Sequence, residues 1–215
     1  MRNKLSLYFI MGSPNCKHYS PEKTLQLALE GGATLFQFRE KGPNALVGEE
    51  KKALALRLQT ICRQYDVPFI MNDDVELAIA LDADGVHIGQ DDAPAHEVRT
   101  RIGREKILGV SARTREEVER AMKDGANYVG MGPIYDTTTK LDAKETAGTQ
   151  IIAHIRQAGI NFPIVGIGGI NDTNYAPVIQ AGADGVSLIS AIASHKQPKQ
   201  IAKQMSQGIQ RLKER

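Results

Sequence analysis

Three polar side chains share one face of a short predicted strand. In the stretch Gln37-Phe38-Arg39-Glu40-Lys41, alternation puts Gln37, Arg39 and Lys41 on the same side of the chain. Two cations on a buried strand face are unfavourable unless they meet an anion or a charged partner. An internal salt bridge to Asp73 or Asp92 is one explanation. A clamp for a phosphate group is the explanation that this set of residues favours.

Two short acidic clusters follow later strands. They are Asn72-Asp73-Asp74 and Gln90-Asp91-Asp92. An acid just before a helix can stabilise the helix N-terminus, and that explanation suits Asp74. Mg²⁺ takes oxygen ligands and is usually held by one or two carboxylates, with waters and substrate phosphates completing its coordination. We therefore predict that Asp73 and Asp92 hold Mg²⁺.

Glycines and hydroxyls dominate a second group of loop residues. Thr137-Thr138-Thr139-Lys140 lies in a loop after Gly132-Pro133, and Gly166-Ile167-Gly168-Gly169-Ile170 follows a later strand. Glycines let backbone N–H groups approach a phosphate, and Ser190 leads into a short helix whose N-terminus could complete such a site. A tight turn is the alternative explanation of the glycine run. The pattern predicts a neutral site for a monophosphate, separate from the basic, carboxylate-flanked one.

The chemistry that two such sites suggest is transfer of a group from a diphosphate. No candidate nucleophile–base pair is apparent, which disfavours acyl transfer. A diphosphate bound to a metal ion is a leaving group, so the reaction would transfer the group that it leaves behind. His87 lies on a buried strand, where a histidine is more often a hydrogen-bonded core residue, and we assign it no role.

Short apolar runs that alternate with amphipathic segments must position these residues. The runs are continuously apolar, which is typical of parallel strands covered on both faces, and Gly-Ala or Ala-Asp turns recur before every second run. This pattern predicts a single (β/α)8 TIM barrel with parallel strands over residues 1–215, with its site at the C-terminal ends of the strands. The predicted strands are Leu5–Met11, Thr34–Arg39, Pro68–Met71, Gly85–Ile88, Ile107–Ser111, Tyr128–Met131, Pro163–Ile167 and Gly185–Ile189.

Capping residues predict where several helices begin. Ser20 is the predicted N-cap of a helix that runs to about Glu30, and Thr114 is the predicted N-cap of another. Asp172 is the predicted cap of the segment that ends at Ala181. The last helix is predicted over about Pro198 to Leu212.

Composition excludes several classes of protein. The chain has 27 Lys and Arg against 25 Asp and Glu, a formal net charge of +2, which argues against a strongly basic nucleic-acid-binding protein. Cys16 and Cys62 lack metal-like spacing and indicate free thiols in a reducing compartment. No stretch approaches the roughly 18 apolar residues of a membrane helix. We expect a cytoplasmic protein with small-molecule partners and with neither nucleic acid nor membrane. A homodimer is compatible with the sequence, which does not fix the oligomeric state.

The motifs together resemble those of the thiamine phosphate synthase family. The resemblance follows chain order over nearly the whole sequence. It rests on Gln-Phe-Arg-Glu-Lys at 37–41, Asn-Asp-Asp at 72–74, His-Ile-Gly-Gln-Asp-Asp at 87–92, Gly-Val-Ser at 109–111, Gly-Pro-Ile-Tyr-Asp-Thr-Thr-Thr-Lys at 132–140 and Gly-Ile-Gly-Gly-Ile at 166–170. It implies a (β/α)8 barrel that transfers a pyrimidinylmethyl group. The expected partners are hydroxymethylpyrimidine diphosphate and thiazole phosphate, with Mg²⁺ as cofactor.

The resemblance also implies a role for each matching residue. The pyrimidine diphosphate would be bound by Gln37, Arg39, Lys41, Asn72 and Lys140, and Mg²⁺ by Asp73 and Asp92. Ser111 would contact the pyrimidine or the product diphosphate. The thiazole phosphate would be held by Thr137, Thr139, Gly169, Ile189 and Ser190. Catalysis would rest on Arg39, Lys41, Lys140 and Ser111 through a dissociative substitution.

Two other functions remain open from the sequence. One is a related barrel enzyme, such as a thiazole tautomerase or another phosphosugar enzyme, and the other is a barrel that binds a phosphate ligand without turnover. Asp136 stands where the family often has proline, and an extra acid beside a phosphate site could weaken binding or point outward. Retention of both aspartates with the Arg, Lys and Thr-x-Thr-Lys set favours the synthase.

Overall fold

Eight parallel strands close into a barrel in the computed structural model, which describes residues 1–137 and 146–214. Each strand pairs with its neighbour in sequence, and β8 closes the barrel on β1. The strands are β1 (Leu7–Met11), β2 (Leu35–Phe38), β3 (Phe69–Asn72), β4 (Gly85–Ile88), β5 (Ile107–Ala112), β6 (Tyr128–Met131), β7 (Ile164–Ile167) and β8 (Gly185–Leu188). The predicted (β/α)8 barrel is therefore confirmed.

Helices connect successive strands across the outside of the barrel, and the last two helices follow the last strand. They are α1 (Pro21–Glu30), α2 (Gly48–Gln64), α3 (Val75–Ala80), α4 (Ala95–Ile102), α5 (Arg115–Lys123), α6 (Gln150–Gln157), α7 (Ala176–Gln180), α8 (Ser190–Ala193) and α9 (Pro198–Lys213). Short 3₁₀ turns at Arg2–Leu5 and Ser13–Asn15 flank β1. None of the helices in the described ranges is long and apolar enough to cross a membrane.

Strand side chains pack in two separate layers. One set faces the helices and includes Phe9, Phe36 and Phe69. The ring of Phe36 lies 5.8 Å from the ring of Phe9 and 5.8 Å from the ring of Phe69. The other set fills the interior of the barrel and includes Tyr8 and Ile70. Both layers exclude water, which explains why the strands read as continuous apolar runs rather than as alternations.

The turn that recurs before every second strand has a common structural role. In each turn, one side chain accepts a hydrogen bond of 2.8–2.9 Å from a backbone N–H of the preceding strand. The backbone N–H of that same turn residue donates to the carbonyl of the same partner, at 2.7–3.0 Å. The pairs are Thr34 with Leu7, Asp84 with Phe69, Asn127 with Leu108 and Asp184 with Ile164. We call these four pairs the strand clamps.

Two arginines reinforce the third and fourth clamps in the same way. Arg99 in α4 donates to the carbonyl of Gly125 and to the side chain of Asn127. Arg156 in α6 donates to the carbonyl of Gly182 and to the carboxylate of Asp184. Each guanidinium also binds carbonyls in the loop that leads to the next strand. The repeated turns therefore reflect a repeated hydrogen-bond unit.

Helix caps agree with the sequence prediction in two cases and differ in one. Ser20 accepts from the Lys23 N–H at the start of α1, and Thr114 accepts from the Glu117 N–H at the start of α5. The prediction for Asp172 is wrong, because α7 begins only at Ala176, after Tyr175. The residues before α7 form a turn in which the Asn171 side-chain oxygen accepts from the backbone N–H and the hydroxyl of Thr173. No helix N-terminus therefore faces Asp172.

We predict that Asp184→Ala destabilises the protein strongly. The substitution leaves the Ile164 N–H without its side-chain acceptor and Arg156 without its carboxylate, and Arg2 also pairs with Asp184. Breaking a buried network of this kind costs about 3 kcal/mol. Urea unfolding of Asp184→Ala and of the exposed matched variant Asp172→Ala measures the difference. Equal midpoints for the two variants would show that the clamp does not stabilise the barrel.

Candidate active site

Charged residues from three neighbouring strands meet at the C-terminal end of the barrel. Arg39 and Lys41 follow β2, Asp73 follows β3 and Asp92 follows β4. Lys41 forms an ion pair with Asp73, so the internal salt bridge that the sequence left open is present. Lys41 is exposed, and Arg39, two residues earlier in the chain, is half-buried. The structure thus brings Lys41, Asp73 and Asp92 together, with Arg39 two residues before Lys41.

Asp73 lies close enough to Asp92 to affect the protonation of Asp92. Partial burial, together with the neighbouring Asp73 carboxyl, raises the pKa of Asp92, although Lys41 and the Gly89 N–H oppose that rise. The Gly89 N–H donates to Asp92 at 2.7 Å and fixes its position. Asp73 has a left-handed backbone, with φ of 59°, a conformation that Asp tolerates better than most residues.

A divalent cation fits this pair of carboxylates. In residues 1–137 and 146–214, no group of three or more His, Cys, Asp or Glu side chains is arranged to hold a metal ion. Two carboxylates are nevertheless the usual protein contribution to Mg²⁺, whose remaining ligands are waters and phosphate oxygens. A cation between Asp73 and Asp92 would also offset the part of the raised pKa of Asp92 that comes from Asp73, burial being the larger cause.

Asn72 contributes an unsatisfied donor to the same end of the barrel. It is the last residue of β3 and is buried, and its Nδ2 has no hydrogen-bond partner among the described residues. A buried donor without an acceptor is costly in a native protein and is often completed by a ligand. Asp74, two residues later, accepts from the Leu77 N–H at 3.0 Å and caps α3, as the sequence predicted for this acid.

A chain of hydrogen bonds crosses the barrel interior below this charged end. Gln37 Nε2 donates to the Tyr8 hydroxyl at 2.6 Å, and the Tyr8 hydroxyl lies 2.8 Å from the Tyr128 hydroxyl. His87 Nδ1 lies 2.9 Å from Tyr128, and His87 Nε2 lies 3.0 Å from Ser111 Oγ. We call these five residues the interior chain. Burial raises the pKa of both tyrosines, so their hydroxyls stay protonated at neutral pH.

Sequence reasoning missed two members of the interior chain. Tyr8 and Tyr128 were included only within predicted strands, and His87 was interpreted as a core histidine, which its two hydrogen bonds support. The available signal was the spacing of polar residues at inward positions together with Gly109. A Cβ at Gly109 would lie 2.3 Å from the Tyr128 hydroxyl and 2.5 Å from His87 Nδ1, so only glycine leaves room for that hydrogen bond.

A separate cavity of about 300 Å³ lies at the C-terminal ends of β7 and β8. Its lining is largely neutral and includes Thr137, Gly169, Ile189 and Ser190, together with Asp136. Gly168 and Gly169 both have left-handed backbones, and a Cβ at Gly169 would lie 2.5 Å from the Asp136 carbonyl oxygen. The glycine run therefore both forms a tight turn and lines the cavity. Thr139 and Lys140 lie outside the described residues.

Comparison with known proteins places the chain in a family. The family model described as thiamine monophosphate synthase matches residues 7–192. The chain belongs to the thiamine monophosphate synthase family. It is 57% identical to the thiamine-phosphate synthase of Bacillus velezensis over 99% of this chain and 94% of that protein. It is 58% identical to that of Geobacillus thermodenitrificans over 97% of this chain and 94% of that protein.

A solved structure supports the same assignment. The thiamine phosphate pyrophosphorylase of Pyrococcus furiosus superposes with a TM-score of 0.87 and 32% identity, with 98% of each chain covered. The resemblance seen in the motifs is therefore confirmed at the level of family and fold. Members of the thiamine monophosphate synthase family are transferases of thiamine biosynthesis.

One buried acid organises the loops around the basic residues of this family member. Glu40 lies between Arg39 and Lys41 and is buried. Its carboxylate accepts from the Ser13 N–H at 2.7 Å, from the Ser13 hydroxyl at 2.5 Å and from the Leu46 N–H at 2.8 Å. Glu40 therefore connects the loop after β1 to the loop after β2. These hydrogen bonds also hold the backbone on which Arg39 and Lys41 lie.

We predict that Glu40→Ala lowers both stability and anion affinity. Three hydrogen bonds to a carboxylate are lost, which should reduce the free energy of unfolding by about 2 kcal/mol. The freed loop should also weaken the binding of inorganic diphosphate by about tenfold, which corresponds to roughly 1.4 kcal/mol. Calorimetric titration and urea unfolding test this, with Glu105→Ala, an exposed acid before β5, as the control. Unchanged diphosphate affinity would confine Glu40 to a role in stability.

Proposed function

We propose that this chain is a thiamine phosphate synthase. It condenses 4-amino-2-methyl-5-hydroxymethylpyrimidine diphosphate with 4-methyl-5-(2-hydroxyethyl)thiazole phosphate to give thiamine phosphate and diphosphate. The observation that supports this best is the coexistence of a charged cluster and a neutral cavity at one end of the barrel. One combines Arg39, Lys41, Asp73 and Asp92, and the other is the neutral cavity beside Gly169.

The proposed reaction breaks one bond and forms one bond. The bond between the pyrimidine methylene carbon and the diphosphate oxygen breaks, and its electron pair leaves with the diphosphate. The aminopyrimidine ring delocalises the positive charge that remains on the methylene. The thiazole nitrogen then donates its lone pair to form the new C–N bond. No proton is transferred in either step, so no general base is required, which agrees with the absence of a candidate base in the sequence.

The basic residues stabilise the departing diphosphate. Arg39 and Lys41 would lie beside the departing diphosphate, and fixed charges in such a position are often the largest contribution to catalysis. Lys140 would add a third cation by the family resemblance. Asp73 and Asp92 would hold Mg²⁺, which would supply further positive charge to the phosphate oxygens. Asn72 would donate its unsatisfied N–H to the same ligand.

The neutral cavity positions the second substrate. Thr137, Thr139, Gly169, Ile189 and Ser190 would hold the thiazole phosphate through hydroxyl and backbone N–H groups. Ser111 lies on β5, which comes between the residues of the two sites in the sequence, and it would contact the pyrimidine. Holding the thiazole nitrogen near the methylene carbon lowers the barrier by removing the entropic cost of encounter.

A diphosphate-release assay with both precursors tests the proposed function. We expect thiamine phosphate and diphosphate in equal amounts, with no product when either precursor is omitted. A related barrel enzyme, such as a tautomerase, would convert a thiazole precursor without releasing diphosphate. A non-catalytic barrel would bind one or both precursors without any turnover. Either of the last two results would overturn the proposal.

We predict that Asp73→Ala and Asp92→Ala each reduce the rate of diphosphate release by about 100-fold while the barrel still folds. Each substitution removes one of the two oxygen ligands, so inorganic diphosphate should also lose the Mg²⁺ dependence of its binding. Asp91→Ala removes the same charge one residue away, from an exposed position, and should behave as the unsubstituted protein. Circular dichroism checks the fold of each variant. Full activity in the double variant would rule out the metal assignment.

A further inference from the structure

The interior chain links side chains from five different strands. It runs from Gln37 on β2 through Tyr8 on β1 and Tyr128 on β6 to His87 on β4 and Ser111 on β5. Tyr8 and Tyr128 lie on strands that are not neighbours, so their hydrogen bond spans the barrel interior. Each of the two hydroxyls is within hydrogen-bond distance of two partners, and both phenols are fully buried.

The orientation of the Gln37 amide, together with a count of hydrogens, fixes the donor and acceptor roles in this chain. A tyrosine hydroxyl has one hydrogen, and the Tyr8 oxygen already accepts from Gln37 Nε2. The Tyr8 hydrogen must therefore point to the Tyr128 oxygen, since no other acceptor lies within reach among the described residues. The Tyr128 hydrogen must then point to His87 Nδ1. In a neutral imidazole the hydrogen must be on Nε2, where it points to Ser111 Oγ.

With Gln37 Nε2 facing Tyr8, the opposite direction would leave a buried hydrogen without an acceptor. If Ser111 donated to His87 and the imidazole donated to Tyr128, the Tyr128 hydrogen would point to Tyr8. The Tyr8 oxygen would then accept from both Tyr128 and Gln37, and its own hydrogen would have no partner in a fully buried position. Such a group is costly enough that native proteins avoid it.

The direction of the chain determines what its two ends present. Gln37 uses its Nε2 within the chain, so its Oε1, which makes no hydrogen bond to a described residue, is available as an acceptor. Ser111 accepts from His87, so its own hydroxyl hydrogen is available as a donor. A ligand that contacts both ends therefore needs a donor for Gln37 and an acceptor for Ser111.

We propose that Tyr8, Tyr128 and His87 are positioning residues that hold Gln37 as an acceptor and Ser111 as a donor toward the pyrimidine. The identity of this ligand rests on the proposed function. A 4-aminopyrimidine supplies what the two ends require, because its amino group donates and its ring nitrogens accept. A 4-oxopyrimidine reverses the pattern on the same edge, with an accepting carbonyl and a donating ring N–H. The interior chain thus selects the amino form.

The histidine tautomer tests the direction of the chain without any substrate. We expect ¹⁵N NMR of histidine-labelled protein to show His87 as the neutral Nε2–H tautomer, with Nδ1 accepting from Tyr128. His87→Gln assigns the signals among the five histidines. Tyr128→Phe should shift the Nδ1 resonance, whereas Tyr65→Phe, which removes an exposed phenol hydroxyl near Glu30, should not. A neutral Nδ1–H tautomer or a doubly protonated ring would overturn the proposal.

The relative affinities of the two pyrimidines test whether the interior chain selects the amino form. Wild-type protein should bind the 4-amino diphosphate at least 100-fold more tightly than its 4-oxo analogue, because mismatched donors and acceptors leave buried polar groups unpaired. Tyr8→Phe removes the oxygen that holds Gln37 Nε2, so the amide can turn and the preference should fall by about tenfold. Tyr65→Phe should retain the full preference. Equal losses of affinity for both ligands in Tyr8→Phe would indicate a merely structural role and overturn the proposal.

These outcomes separate the positioning proposal from the proposed function. Wild-type protein that prefers the amino form but produces no thiamine phosphate would overturn the function and leave the interior chain supported. Wild-type protein that turns over both pyrimidines equally would overturn the positioning proposal and leave the function supported. Failure to bind either pyrimidine would overturn both.

Discussion

The strand clamps fix the register of four of the eight strand pairs in the barrel. Parallel strands that slip by one residue exchange their inward and outward side chains, so each pair of strands needs a fixed reference point. Each clamp supplies one, through a side-chain bond and a backbone bond to the same residue. The residue after the clamped one then faces inward: Tyr8 follows Leu7, and Gly109 follows Leu108. Tyr128 and Gly109 are register partners for the same reason.

The polar interior follows from that register. Two tyrosines inside a barrel need room and hydrogen-bond partners, and the clamps place Gly109 beside Tyr128 to provide the room. The partners are Gln37 and His87, which also point inward. Apolar residues such as Ile10 and Ile70 fill other parts of the interior. The interior chain therefore connects the core to Ser111 near the C-terminal end of β5.

Much of this arrangement could be predicted from the sequence, because strand order in a (β/α)8 barrel puts every strand end at one rim. Local patterns placed Asp73, Asp92 and Gly169 correctly at that rim. They could not show that Tyr8 meets Tyr128, because that contact joins β1 and β6, which are not neighbours, and depends on register. The error at Asp172 has a different cause: Asn171 accepts the local hydrogen bonds instead, and a competing turn of this kind is not visible in a capping pattern.

The ion pair between Lys41 and Asp73 reconciles two explanations that the sequence left as alternatives. A salt bridge and a phosphate clamp would use the same lysine, and only one of them can be complete at a time. Without a ligand, the pair neutralises two charges that would otherwise oppose folding, while burial and the nearby Asp73 carboxyl raise the pKa of Asp92. A diphosphate with its cation would offer Lys41 a phosphate oxygen and would offer both carboxylates a metal. Binding would therefore exchange partners among groups already in place, which is less costly than ordering free side chains.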